Sequence, residues 1–550
     1  MKVHRRFLEL AVLCAVKREL KSGDLCVPDS ARHGDFRLEL ADNATFASEK
    51  DAYAEAAGIS ADGDETVRVL REKLTKRSLQ VDERFPENAS ARLVDDRLVL
   101  TRHVAPPTPA EVERLDQLIS ERLVPVTIVD VLIDSMRWLK LHHKFRPLSG
   151  THSQVKDHFE RVVALLLCYG CNLGPTQTSR SLRNFSRKQI AWLNIKWVDE
   201  RALNGAIKET INAFEKFALP TYWGDGKAAS ADGTKWTLGE QNITSEYHIR
   251  YGGFGGIGYY YVSNKYIALL SRFITCSSHE SIYMFDVLYE NESDIQPTRL
   301  HGDTQAQTVP AFALSYILGV QLMPRIRHIG KLVLYAPDKK TKYKNIAQLF
   351  EKPGPGKQSV INWDLIKKHY NDILRVAVSL KLGLISPSTI LRRLGTYSQK
   401  NKLYEAVYEL GKVIRTLFLL DVIDDPALRK TIHTETNKSE QYNGFVKWCF
   451  FGGESAITEN MQHELQKIMK YSQLVANLVI LYNVDQMTRI VAELIEEGEQ
   501  ITPEMLRATS PYRRMHINRH GTYTMDLARK HTRMEYGAAI AQKIPLQAAA

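Results

Sequence analysis

Six cysteines in 550 residues are too few and too scattered to frame a disulfide-stapled fold. Only Cys168 and Cys171 lie close together; Cys14, Cys26, Cys276 and Cys449 stand alone, and this scarcity fits a reducing cytosol. Long apolar runs are missing too: FLELAVLCAV near the start is soon followed by charge, well short of the roughly eighteen residues that a membrane span needs. A soluble protein with no membrane partner is therefore expected. Low-complexity tracts and internal repeats are absent, so neither wholesale disorder nor a solenoid is expected. Acidic excess is lacking as well. Lys and Arg number 74 against 63 Asp and Glu, a net charge of +11, which favours a polyanionic partner without proving one.

A chain of this length exceeds one ordinary core, so several domains are expected. Residues 1–105 read as a small mixed region with a helix near 3–20 and a strand in RLVLTRHV. Residues 106–220 read as helical; HFERVVALLLCYG and DERALNGAIKETINAFEKFA carry apolar residues at helical spacing, the second capped by Asp199. At TYWGDGKAASADG the texture turns to glycine, β-branched and aromatic residues. YYYVSNKYIALLSRFITC reads as two strands joined at Ser263-Asn264. A helix near 279–290, a strand ending at RLHGD, a helix over TVPAFALSYILG and a strand in KLVLYA complete residues 221–337. Three antiparallel strands followed by helix, strand, helix, strand is the order of an RNase H-like core. Residues 338–430 read as a helical, basic insertion, 431–500 as completing helices starting near Asn437, and 501–550 as a basic C-terminal region ending in an unstructured PLQAAA tail. The fold class expected is mixed α/β and multidomain: an RNase H-like core with a helical insertion, preceded by largely helical regions.

The stretch SADGTKW sets Asp232 among small residues at the start of an apolar strand, where a charge is costly unless it binds a metal, pairs with a cation or reaches water. Asp303 closes the later strand in LHGDTQ, and Glu440, in TNKSEQYNGFVKW, lies one turn into a late helix. Three such carboxylates suit Mg2+ or Mn2+, and paired ions assist phosphoryl transfer; surface or capping carboxylates remain the plainer reading among 63 acids. Lys447 follows Glu440 by seven residues, nearly two helical turns, and so shares its face, with Asn443 and Gly444 between. A lysine there can hold a DNA phosphate, or simply be solvated.

Arg513, Arg514, Arg519, Arg529, Lys530 and Arg533, with His516 and His520 in the tail, can line a phosphate track or serve solubility, whereas Arg325 and Arg327 in MPRIRH, set among apolar residues, read as DNA or structural contacts. Other motifs fail on context. Gly253-Phe-Gly-Gly-Ile-Gly258 precedes a Tyr-rich strand where a dinucleotide site needs a helix, so its glycines are read as a hairpin or a close backbone approach. PGPGKQS lacks P-loop spacing, and Cys168-Tyr-Gly-Cys171 has no second ligand pair for zinc.

The runs SADGTKW, HGDTQAQTVPAFALSYILGVQLMPRIRHIGKLVLYAP, TNKSEQYNGFVKWCFFGG, YNVDQMTRIVAELIEEG and SPYRRMHINRHGTY, with RELKSGDLCVPDSARHGDF and LLLCYGCNLGPTQ upstream, resemble the C-terminal half of the replicative transposases of the Tn-three family. The resemblance implies a DDE triad at Asp232, Asp303 and Glu440, separated by 71 and 137 residues, the long second gap agreeing with a helical insertion. It also implies Mg2+ or Mn2+ as cofactor and DNA as partner, both terminal inverted repeats and target. The chemistry implied is 3′-end nicking and strand transfer to a cointegrate, by a homodimer in the bacterial cytoplasm at the nucleoid. The family's front half carries end recognition, so a truncated chain is expected. That leaves two alternatives, a nuclease without strand transfer and a non-catalytic DNA-binding or dominant-negative fragment.

Overall fold

The computed structural model describes residues 4–30, 33–101, 107–150, 155–182, 184–239, 241–247, 252–351, 359–394, 402–530 and 532–545. Most of PGPGKQS and of the PLQAAA tail lies outside them. The fold is mixed α/β, and the chain forms two compact units. Among the described residues no helix is long and apolar enough to cross a membrane.

The first unit comprises Met1–Val104, Glu280–Tyr289 and Thr298–Thr434. It is mostly helical: Asn43–Ala57 packs on Tyr370–Lys381, and Gly63–Arg84 packs on Lys402–Asp424. Arg77 ties that second pair together, reaching Asp421 at 2.7 Å and Asp424 at 2.8 Å. The expected strand near 97–104 is the return arm of a hairpin, Ala91–Val94 with Arg97–Leu100. Strand Arg299–Gly302 runs parallel to Gln321–Pro324, with helix Val309–Ile317 making the crossover that parallel pairing requires.

Two expectations need correction in this unit. The strand after that helix is Gln321–Pro324 and not KLVLYA. Leu334 and Ala336 alternate into the core as strand residues do, but their N–H groups donate to Leu349 O and Ser359 O, leaving one isolated bridge, Ala336 with Val360. The helix expected over 279–290 is broken into a 3-10 turn, Glu280–Tyr283, and a single turn, Val287–Glu290.

The second unit comprises Ala105–His279, Glu290–Pro297 and Glu435–Ala550. Its sheet is built on β1 (Ala228–Leu238), β2 (Phe254–Ser263) and β3 (Ala268–Thr275), antiparallel in that order, with the β2–β3 turn where the sequence placed it. The two-residue strand Ala456–Ile457 adds to β1 in parallel. Helix Glu200–Glu215 starts as expected, the Asp199 carboxylate accepting from Ala202 N at 2.7 Å.

Helix α1 (Pro426–Cys449) begins in residues of the first unit and belongs to the second from Glu435 onward. It starts well before Asn437, because Asp425 caps it by accepting from the N–H groups of Ala427 and Leu428, and Pro426 suits the first helical position. Glu440 therefore sits about four turns in, not one.

Helix α2 (Gln462–Glu496) is the buried spine of this unit and covers β3. An edge strand leaves backbone groups unpaired. Here α2 supplies the partners: Gln466 exchanges hydrogen bonds with the backbone of Phe273, and Gln473 and Asn477 donate to Ala268 O.

The glycines of β2 are sites of close approach. A Cβ on Gly258 would stand 2.3 Å from Trp236 Nε1 and 2.9 Å from Met469 Sδ, inside a packed core. Gly258→Ala is accordingly expected to cost about 1–3 kcal/mol by overpacking, readable as a lowered urea midpoint at unchanged slope.

Candidate active site

Alternation along β1 sends Ser230, Asp232, Thr234 and Trp236 to one face, and α1 lies across that face. Two hydrogen bonds fix the crossing. Ser230 Oγ meets Ser439 Oγ at 3.0 Å, and Asn443 Nδ2 donates to Asp232 Oδ2 at 2.9 Å. The half-buried carboxylate that the sequence made conspicuous thus takes an amide N–H from the helix that carries Glu440.

Glu440 itself is exposed. It precedes Asn443 by one turn and shares a stripe with Lys447, as the seven-residue spacing predicts. Lys447 is half-buried with Nζ 5.9 Å from the Trp236 ring centroid; desolvation, and then the charge of Lys235, hold its pKa below the usual lysine value. The two lysines and the two acids thus belong to one strand and one helix, and a phosphodiester beside a carboxylate-bound cation requires both signs.

Lys438, which the sequence reading passed over, anchors the helix. Its ammonium is buried and donates to Trp223 O at 3.0 Å, Asn264 O at 2.8 Å and Glu435 Oε1 at 3.1 Å. Burial lowers its pKa, and Glu435 opposes the shift. Asn264 in turn closes the β2–β3 turn onto the start of β1 by accepting from Gly226 N and donating to Asp225. Ser439 and Asn443 were missed as well; the available signal was the run of polar residues KSEQYN inside the helix, just before the largely apolar FVKWCF.

Asp303 belongs to the first unit, where it is half-buried and caps the turn Thr304–Gln307 by accepting from Gln305 N at 2.9 Å. Asp232 and Glu440 are in the second. Among the described residues no group of three or more His, Cys, Asp or Glu side chains gathers closely enough to hold a metal ion. The donor chemistry is nonetheless that of a hard cation, since Asp232 and Glu440 offer only oxygen.

The tail is packed against the unit rather than loose. Tyr512 stacks on Phe445 and donates to Tyr266 O, Asn483 donates to Pro511 O and Arg513 O, and Ile517–Asn518 pairs with Val126–Thr127. Arg513 is ion-paired to Asp116; Arg519 donates to Trp448 O at 2.6 Å and lies 4.6 Å over its ring. Arg514 is half-buried, 5.6 Å over Phe445. Arg325 is half-buried and Arg327 exposed, both in the first unit.

His516 is buried with neither ring nitrogen hydrogen-bonded, and burial, then the charge of Arg513, pushes its pKa down to about 4. The unfolded chain binds the proton first, so this neutral histidine contributes stability that is complete above about pH 6.5 and lost as pH falls through about 4. Urea unfolding at pH 7 and pH 5 is expected to show a loss of roughly 1–3 kcal/mol over that window that His516→Phe reduces.

Residues 130–523 match the family described as "Tn3 transposase DDE domain". The transposase for transposon Tn501 of Pseudomonas aeruginosa is 29% identical over 533 residues, 96% of this chain and 53% of that protein. The transposase for transposon Tn1546 of Enterococcus faecium is 27% identical, with 95% and 52% covered. The transposase for transposon gamma-delta of Escherichia coli (strain K12) is 26% identical, with 96% and 52% covered. The chain spans about half the length of the curated relatives it matches.

Proposed function

Given that the chain belongs to the Tn3 transposase family through its DDE domain, we propose that it is the catalytic region of a replicative transposase with an RNase H-like core. The observation that carries this reading is the β1–α1 face, where a strand-borne Asp232 and a helix-borne Glu440 and Lys447 are held in register by side-chain hydrogen bonds. The antiparallel β1–β3 and the parallel pair Arg299–Gly302 and Gln321–Pro324 are the strand types such a core needs. Asp303 joins the triad on the resemblance of HGDTQ to the family.

In this reading Asp232, Asp303 and Glu440 hold Mg2+ or Mn2+, which supplies Lewis-acid activation of the attacking oxygen and charge relief at the leaving one. Lys447 pairs with the phosphate under attack. Arg514, Arg325 and Arg327 follow the DNA backbone. Arg513 and Arg519, engaged with Asp116 and Trp448, hold the tail in place. Water first attacks the phosphodiester at each transposon end, breaking the P–O3′ bond and freeing a 3′-hydroxyl. That hydroxyl then attacks a target phosphodiester, forming one P–O bond and releasing one target 3′-hydroxyl. Two ends require two active sites, hence a homodimer on terminal inverted repeats and target DNA.

A binding-only role is the second reading, favoured by the absence of a three-ligand group among the described residues. The two separate in one assay, in which the purified chain is given pre-nicked transposon ends, a target plasmid and Mg2+ or Mn2+. The catalytic reading expects joined products, reduced about a hundredfold or more by Asp232→Asn, Asp303→Asn or Glu440→Gln, with DNA retention on gels unchanged. Retention without joining, in the parent and all three variants alike, establishes the binding role instead.

A further inference from the structure

Asn443 is 7% exposed, and its amide is only half used. Nδ2 donates to Asp232 Oδ2 at 2.9 Å, while Oδ1 is buried without a hydrogen-bond partner. The orientation of the amide follows from chemistry, because an ionised carboxylate only accepts. An acceptor left unpaired at that depth is costly unless an O–H or N–H reaches it. Its surroundings offer little: Tyr442, the preceding residue, has a buried hydroxyl that is itself unpaired, and Ser439, one turn earlier, is spent on Ser230 and Thr436 O.

We infer that Asn443 is a positioning residue for the divalent cation of the proposed reaction, aiming the Asp232 carboxylate through Nδ2 and receiving, at Oδ1, an O–H from the cation's hydration water. The inference rests on the reading of Asp232 as a ligand. Its argument is local, however, and needs no residue of the first unit. The helix is well placed for the task. Lys438 and Ser439 pin α1 to the β2–β3 turn and to β1 immediately before Asn443, so the amide reaches the carboxylate from a fixed backbone. Carboxylates that ligate metals are themselves hydrogen-bonded, and removing such a partner typically costs ten- to a hundredfold in metal affinity. An unpaired acceptor beside a hydrogen-bonded carboxylate is also what a hydrated ion completes, since Mg2+ keeps several waters whose protons need acceptors.

The experiment uses the full chain and Mn2+ alone as probe, with free Mn2+ followed by electron paramagnetic resonance, and the joining assay run over a series of Mn2+ concentrations. Asn443→Ala, and the volume-conserving Asn443→Leu in case the smaller side chain unfolds the helix, are expected to weaken Mn2+ binding about tenfold. The half-maximal Mn2+ for joining should rise by the same factor. Joining at saturating Mn2+, and the melting temperature without metal, should stay close to the parent. Asn443→Gln, which keeps the amide, should recover part of the affinity. Unchanged Mn2+ binding in both Ala and Leu variants, with the parent binding normally, overturns the role of Asn443 and leaves the catalytic reading intact. A parent that binds no Mn2+ and joins no DNA overturns the catalytic reading itself. A fall in maximal rate with unchanged Mn2+ affinity also counts against Asn443, because it marks a structural effect.

Discussion

The register between β1 and α1 is the constraint on which the second unit's candidate chemistry depends. Two residues of strand advance about 6.6 Å and four residues of helix about 6 Å, so a helix running with the strand keeps step from Ser230–Ser439 to Asp232–Asn443. Both bonds use short side chains, which brings the helix close. The outer stripe of the helix then carries the exposed Glu440 and the half-buried Lys447. A slip of one residue in the strand would turn Asp232 to the opposite face and replace it with Ala231 or Gly233.

That register is over-determined. Lys438 is a buried ammonium with three oxygen acceptors, and such a group is expensive unless every partner is in place. Beyond Glu435 on the helix itself, its acceptors are Trp223 O before β1 and Asn264 O in the β2–β3 turn, so the helix is tied to the end of the β1–β2 pair where β1 begins and β2 ends. Farther along, the aromatic chain Tyr260, Tyr442, Tyr512 and Phe445 joins sheet, helix and tail. The C-terminal cations are thus part of the packing that holds α1, which explains why Arg513 and Arg519 have intramolecular partners. Helix α2 supplies the other support by hydrogen-bonding the edge strand β3 through Gln466, Gln473 and Asn477.

Much of this was legible in the sequence. Strand alternation, the turn at Ser263-Asn264, the Asp199 cap and the Glu440–Lys447 stripe are local patterns, and the local chain forms them. The misses arise where tertiary partners decide. KLVLYA has strand periodicity but finds a 3-10 turn, Ala347–Phe350, and the residues Ser359 and Val360 as neighbours, so its alternation produces burial without a ladder. Helix α1 begins before the expected start near Asn437 because Asp425-Pro426 supplies a cap followed by a first-turn proline. Asn443 was visible only as a residue between two others; its meaning comes from Asp232, 211 residues away in the chain.

The central claim is that the β1–α1 face is a divalent-cation site. Crystals of the chain soaked in Mn2+ and measured for anomalous scattering test it directly. The account predicts an anomalous peak bounded by the carboxylates of Asp232 and Glu440, lost in Asp232→Asn. Peaks confined to other acids, with the β1–α1 face empty at saturating Mn2+, would contradict it.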